Sequence, residues 1–193
     1  FSSASVAMTD GGANSRDCYI SVSAGTVTIS GNITMAGNSS TNYILFSGTG
    51  ILNAGGTITG GGITSAAGGG ATAPTSGTVN YNNSGGQNVG AYTYYNLTLS
   101  GSGIKTLFGA VTVGATYTNN DAAITMACGA NNLTFNGTVT NSGLLTTGVN
   151  TVTYGGTGAQ TIIQSNYNNL TTSGARTTNN LTFPGNIGIA GAF

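Results

Sequence analysis

The feature that most constrains the fold is an internal repeat. Residues 78–101, TVNYNNSGGQNVGAYTYYNLTLSG, return at 151–174 as TVTYGGTGAQTIIQSNYNNLTTSG. The two copies align end to end with no gap, and the identical positions include Tyr81/Tyr154, Gln87/Gln160, Tyr94/Tyr167, Asn96/Asn169 and Leu97/Leu170. A shorter unit, NNLTFNG at 131–137, returns as NNLTFPG at 179–185. Self-similarity of this kind marks a chain built from stacked units.

The units read as strands. Val, Ile, Leu, Tyr and Phe recur every few residues, with Thr between them and Gly or Asn as punctuation, and β-branched residues suit a pleated surface. No stretch shows helical periodicity. The chain is therefore expected to be all-β. A short-strand β-solenoid, parallel β-helix-like, fits best, because the strands are short and Asn-Gly, the strongest tight-hairpin signal, occurs between strands only at Asn136-Gly137. The offsets between copies of the longer and shorter units are close to three and two rungs of about 24 residues. The alternative is a β-sandwich, pilin-like subunit completed by strand exchange. Residues 1–193 read as one domain. The least patterned stretch, 60–74, is a candidate internal boundary, with the repeats 78–101 and 151–174 beyond it.

Charge narrows the function. Six side chains carry it: Asp10, Arg16, Asp17, Lys105, Asp121 and Arg176, 3% of the chain against about a quarter in ordinary soluble domains. Zero net charge removes the repulsion that keeps copies apart. Three scattered cations make no nucleic-acid patch. Without His or Glu, and with three dispersed Asp, the chain offers no acid–base pair, metal cluster or catalytic constellation, so neither enzyme activity nor a cofactor is expected. No apolar run is long enough to form a membrane-spanning helix. Cys18 and Cys128 are a candidate disulfide pair, with two free thiols as the alternative. The chain opens on Phe1 rather than Met, which points to processing of a precursor.

Tyr94-Tyr-Asn-Leu-Thr98 and Tyr167-Asn-Asn-Leu-Thr171, with the Gly-rich turns between them, resemble the Tyr-Asn-Asn-Leu-Thr repeats of large secreted bacterial and archaeal surface proteins, many of them adhesin-like β-helices. The resemblance spans about residues 77–183. It implies a β-helical fold and an extracellular or cell-surface location.

Taken together, the expected function is a structural subunit of an extracellular, pilus-like filament or cell-surface assembly, formed by head-to-tail β-strand association. Copies of the same chain are the expected partner. The terminal segments with Ala4, Val6 and Met8, and with Ile187, Ile189 and Phe193, are the candidate intersubunit strands, since an unblocked sheet edge recruits another strand. The alternative is an adhesin-like or ice-binding β-solenoid module using outward threonines such as Thr26, Thr28 and Thr34, which fall in no strict rung register in the sequence. A covalent glycan is a second candidate partner. Eight Asn-x-Ser/Thr sequons occur, at Asn32, Asn38, Asn82, Asn96, Asn132, Asn136, Asn169 and Asn180. In Asn-Leu-Thr, period-two geometry turns Leu inward and Asn and Thr outward.

Overall fold

The computed structural model describes residues 2–9, 17–36, 41–68, 72–176, 178 and 180–193. Phe1, Asp10, Arg16 and the sequon Asn38 lie outside the described residues. Among the described residues the fold is all-β with no helix, and parallel strands stack as a β-solenoid of about eight turns. Parallel partners cannot be joined by a tight hairpin. The chain therefore travels once round the coil between neighbouring strands, and the sandwich alternative does not occur.

The largest sheet has ten strands and runs almost the length of the coil. Its first ladder passes through Ser2–Ser3, Thr26–Ile29, Ile51–Ala54, Thr78–Tyr81 and the second half of Thr93–Leu99. It continues through the end of Val111–Asn119 to Thr138–Asn141. A second ladder begins in the first halves of the two long strands and runs through Leu133–Phe135 and Thr151–Tyr154 to Asn169–Thr172. Other faces are short sheets of the same kind, such as Gln87–Val89, Gly103–Leu107, Ile124–Ala127 and Leu144–Thr146. The described parts of the 60–74 stretch, 60–68 and 72–74, fall within the turn between Ile51–Ala54 and Thr78–Tyr81, which pair directly.

Rung length is not uniform, contrary to the expectation from the repeat offsets. The early rungs are long: Thr26 pairs with Ile51, and Ile51 with Thr78. The next is much shorter, and length then grows again: Thr78 pairs with Asn96, Asn96 with Thr116 and Thr116 with Thr138. Three rungs from Thr78 thus reach Thr138, and the repeat copy at Thr151 falls on the second ladder instead. Each repeat copy spans one full rung and the start of the next, since Thr78 pairs with Asn96 and Thr151 with Asn169 within the copies.

Alternation sorts the side chains. Val79, Leu97, Tyr117 and Val139 stack inward along the first ladder, and Val111, Leu133, Val152 and Leu170 along the second; all are buried. Each such burial contributes about 1.5–3 kcal/mol. Corners are tight where rungs cross closely. Gly101 has φ +83°, and a Cβ there would meet the Asn83 carbonyl; a Cβ at Gly137 would meet the Ala115 carbonyl.

Aromatics fill much of the interior. Tyr81, Tyr94, Tyr117, Phe135, Tyr154 and Tyr167 are all buried. Phe135 lies 4.9 Å from Tyr117 and 5.3 Å from Tyr154, ring centre to ring centre. Desolvation raises the phenol pKa of Tyr81, Tyr94, Tyr117 and Tyr167 above the ordinary value, and that of Tyr154 to about 12. Burial likewise lifts the Cys128 thiol to about 12. The folded state thus holds these protons more tightly than the unfolded chain does. The stability they contribute is complete below the unfolded phenol value of about 10 and is lost as pH rises through the folded values. Unfolding by guanidinium at a series of pH values should give a midpoint that falls steeply above about pH 10.

Candidate functional site

Two features could carry function: the corner that the repeat encodes, and the edges of the first and last rungs. In the first repeat copy, Gln87 reaches back to the preceding rung, where its Nε2 donates to Ala54 O at 2.6 Å and Gly56 O at 2.9 Å. Its Oε1 accepts from Asn83 N at 3.1 Å. Gln160 repeats this, with Nε2 donating to Phe135 O at 3.0 Å and Gly137 O at 2.6 Å, and Oε1 accepting from Gly156 N at 3.1 Å. Tyr81 and Tyr94 share a hydroxyl–hydroxyl bond of 2.8 Å and bracket the backbone of Gly90, whose N–H donates to Tyr81 Oη and whose carbonyl accepts from Tyr94 Oη. Tyr154 and Tyr167 bracket Ile163 in the same way. The glutamine and both tyrosines, whose polar side-chain atoms close the corner, are identical between the copies. Position 90/163 contributes only backbone, and its side chain differs.

A cation from the following rung completes each corner. Lys105 is fully buried, and its Nζ donates to Asn83 O at 2.6 Å, Gln87 Oε1 at 3.2 Å and Gly85 O at 3.3 Å. Three oxygens match the three N–H groups of an ammonium, and they offset the desolvation that lowers its pKa. Arg176 donates through Nη2 to Gln160 Oε1 at 2.5 Å and to Tyr154 O at 3.1 Å, and through Nη1 to Gly158 O. Both described cations are therefore committed to corners. These roles were not read from the sequence. The one available signal was that a lone cation follows each repeat glutamine at a similar distance along the chain, Lys105 after Gln87 and Arg176 after Gln160.

The terminal segments are docked strands of their own coil. Val6–Met8 pairs with Ile33–Met35, and Gly188–Ile189 with Asn166–Tyr167. Ala4 is exposed and outside any strand, Val6 is half-buried and Met8 buried. Ile187 and Ile189 are half-buried against the core, while Phe193 is 77% exposed and departs from the face they share. Among the described residues, the strands Ser2–Ser3, Val6–Met8 and Cys18–Ser21 pair on one side only, as does Gly188–Ile189 in the last rung. Half-buried Val6, Cys18 and Ile20 lie at one end of the coil. Half-buried Leu181, Ile187 and Ile189 lie at the other, with Phe183 exposed.

Cys18, on the strand Cys18–Ser21, and Cys128, just beyond Ile124–Ala127, are both free thiols in different turns of the coil. The sequons divide by what their side chains do. Leu97, Leu133 and Leu170 of Asn-Leu-Thr are fully buried, as alternation requires. Asn32, Asn132, Asn136 and Asn180 are exposed; Asn82, Asn96 and Asn169 are half-buried. Asn32, Asn132 and Asn169 accept an N–H of the next rung, from Thr57, Thr151 and Ala192, through Oδ1 at 2.9 Å. Asn96 instead reaches along the face to the preceding rung, its Nδ2 donating to Gly77 O at 3.1 Å.

Among the described residues no three potential metal ligands lie together, and no helix is long and apolar enough to cross a membrane. No family model matches the chain, and neither the curated proteins nor the solved structures include a match.

Truncating a corner glutamine unpairs two carbonyls, an N–H and part of a cation's shell. Gln87→Ala and Gln160→Ala should each cost at least about 2 kcal/mol in denaturant unfolding. Asn88→Ala, at an exposed neighbouring position, should change stability by less than about 0.5 kcal/mol.

Proposed function

We propose that the protein is a structural element of an extracellular or cell-surface assembly, in which coils stack end to end by β-strand association. The observation that carries this reading is the pair of end rungs. Each presents strands paired on one side only, over apolar side chains that are half-buried where the equivalent interior positions are fully covered. A parallel ladder has the same polarity at every rung, so the last rung of one copy has the backbone geometry to pair with the first rung of another. Such a head-to-tail contact does not close on itself and propagates as a filament. Because the terminal strands are already docked, whole rungs meet, and no strand needs to leave its subunit.

The usual defences of a sheet edge, charge above all, are sparse here. No charged side chain occurs from Asn180 onward. The one described charge in the first rung, Asp17, accepts a hydrogen bond from Tyr43 Oη at 2.9 Å. The extracellular setting rests on composition and on the resemblance of residues 77–183 to secreted surface repeats. Negative-stain electron microscopy with size-exclusion chromatography over a concentration series tests the proposal. Thin filaments that lengthen with concentration are expected, and Ile189→Lys should shift the population to monomers. A stable monomer at every concentration overturns it.

A glycan is the second proposed partner, carried on the exposed asparagines. Glycopeptide mass spectrometry of native material should find sugar on Asn132 or Asn136 and none on Asn96, which is half-buried and whose amide nitrogen is tied to Gly77 O of the preceding rung.

A further inference from the structure

The threonines that show no register in the sequence acquire one in the coil. Unequal rung lengths scramble their spacing along the chain, yet strand pairing aligns them. On the outer face of the first ladder, one row runs Thr78, Asn96, Thr116, Thr138. A second row, two residues along each strand, runs Asn80, Thr98, Thr118, Thr140. Toward the start of the coil the second row continues by side-chain bonds, Asn80 Nδ2 to Asn53 Oδ1 at 3.0 Å and Asn53 Nδ2 to Thr28 Oγ1 at 3.4 Å. Thr28 belongs to the second row; Thr26 is aligned with the first but separated from Thr78 by Ile51, and Thr34 lies on a different sheet.

We propose that this face binds the surface of ice. Neighbouring rungs lie about 4.8 Å apart and alternate positions along a strand about 6.6 Å apart, so the rows form a two-dimensional grid of hydroxyl and amide groups. The grid is rigid, because three of its four strands are laddered on both sides and the fourth, Thr138–Asn141, on one, and because threonine has a restricted χ1. Thr138 and Thr140 are exposed and Thr116 and Thr118 half-exposed. Neither row contains a charged residue. A charge would gather its own hydration shell, whereas evenly spaced hydroxyls and methyls present a repeating, uncharged surface to water. The matching ligand is extended, uncharged and itself periodic.

Two such solids meet that description, ice and a crystalline polysaccharide. Polysaccharide chains are gripped by aromatic platforms that stack on sugar rings. On this ladder Tyr81 and Tyr117 point inward and are buried, and the outward rows hold only threonine and asparagine in these four rungs. Water is the chemistry the face fits. The proposal concerns the side of the coil and is independent of what its ends do.

The test is freezing-point hysteresis and partition of the purified protein into a slowly growing ice front. The wild-type chain should be taken up by ice and show hysteresis that rises with concentration. Thr118→Lys and Thr140→Lys, which each break the grid, should lose most of both effects with an unchanged circular dichroism spectrum. Thr106→Lys, exposed on a different sheet, should keep them. Exclusion of the wild type from ice overturns the proposal. So does equal loss in Thr106→Lys, or retention of activity by both grid variants. Binding to insoluble polysaccharide without uptake into ice also overturns it.

Discussion

Everything in this structure depends on the parallel backbone ladder between one turn of the coil and the next. It fixes the distance between rungs, and with it the stacking of inward Val, Leu and Tyr and the alignment of outward Thr and Asn. Charge enters the fold chiefly at the corners, through Lys105 and Arg176. Register is set by alternation, since a slip of one residue would turn Leu97 or Leu133 out to water and Asn96 or Thr134 into the core. Position along the coil is set by the corners, where glutamine, paired tyrosines and a cation tie side chains to carbonyls of adjacent rungs.

Repetition, short strands and the scarcity of turn pairs such as Asn-Gly made the solenoid legible in the sequence. The inward leucine of Asn-Leu-Thr was legible too. Rung length was not. A repeat in sequence records which corners share the same chemistry, and not where those corners fall round the coil. Residues 78–101 and 151–174 each enclose one whole turn, yet the two copies sit on different ladders. The role of Gln87 was hidden for a related reason. Its acceptors, Ala54 and Gly56, belong to the previous turn and supply only backbone, which leaves no trace in side-chain identity. The threonine rows were masked by the same variation in rung length, because spacing along the chain does not report alignment across it.

The few charges are informative by their placement. Lone cations on so neutral a chain would aid solubility if they faced water, yet Lys105 and Arg176 are both drawn into the corner that the repeat builds. Among the described residues the exposed charges are Asp17 and Asp121, and the rest of the surface is hydroxyl, amide and glycine with scattered apolar side chains such as Phe108, Leu144 and Val149. The proposed roles of the ends and of the side rest on this neutrality. An end with unpaired strands has little electrostatic reason to stay alone, and a face with ordered hydroxyls has no ion to disturb the water beside it.

The direction of the ladder has a mechanical consequence. Its hydrogen bonds run along the coil axis, so tension applied end to end loads the rung boundaries in series, each carrying the same force. Such a geometry yields from its ends, where a turn is held on one side only. The Gln160 corner interrupts that sequence, because its side chain grips the turn before it while Arg176 grips it from the turn after. A coil with these clamps at intervals behaves less like a zip than like a rope with knots, extending in steps whose lengths are set by the chain stored between clamps.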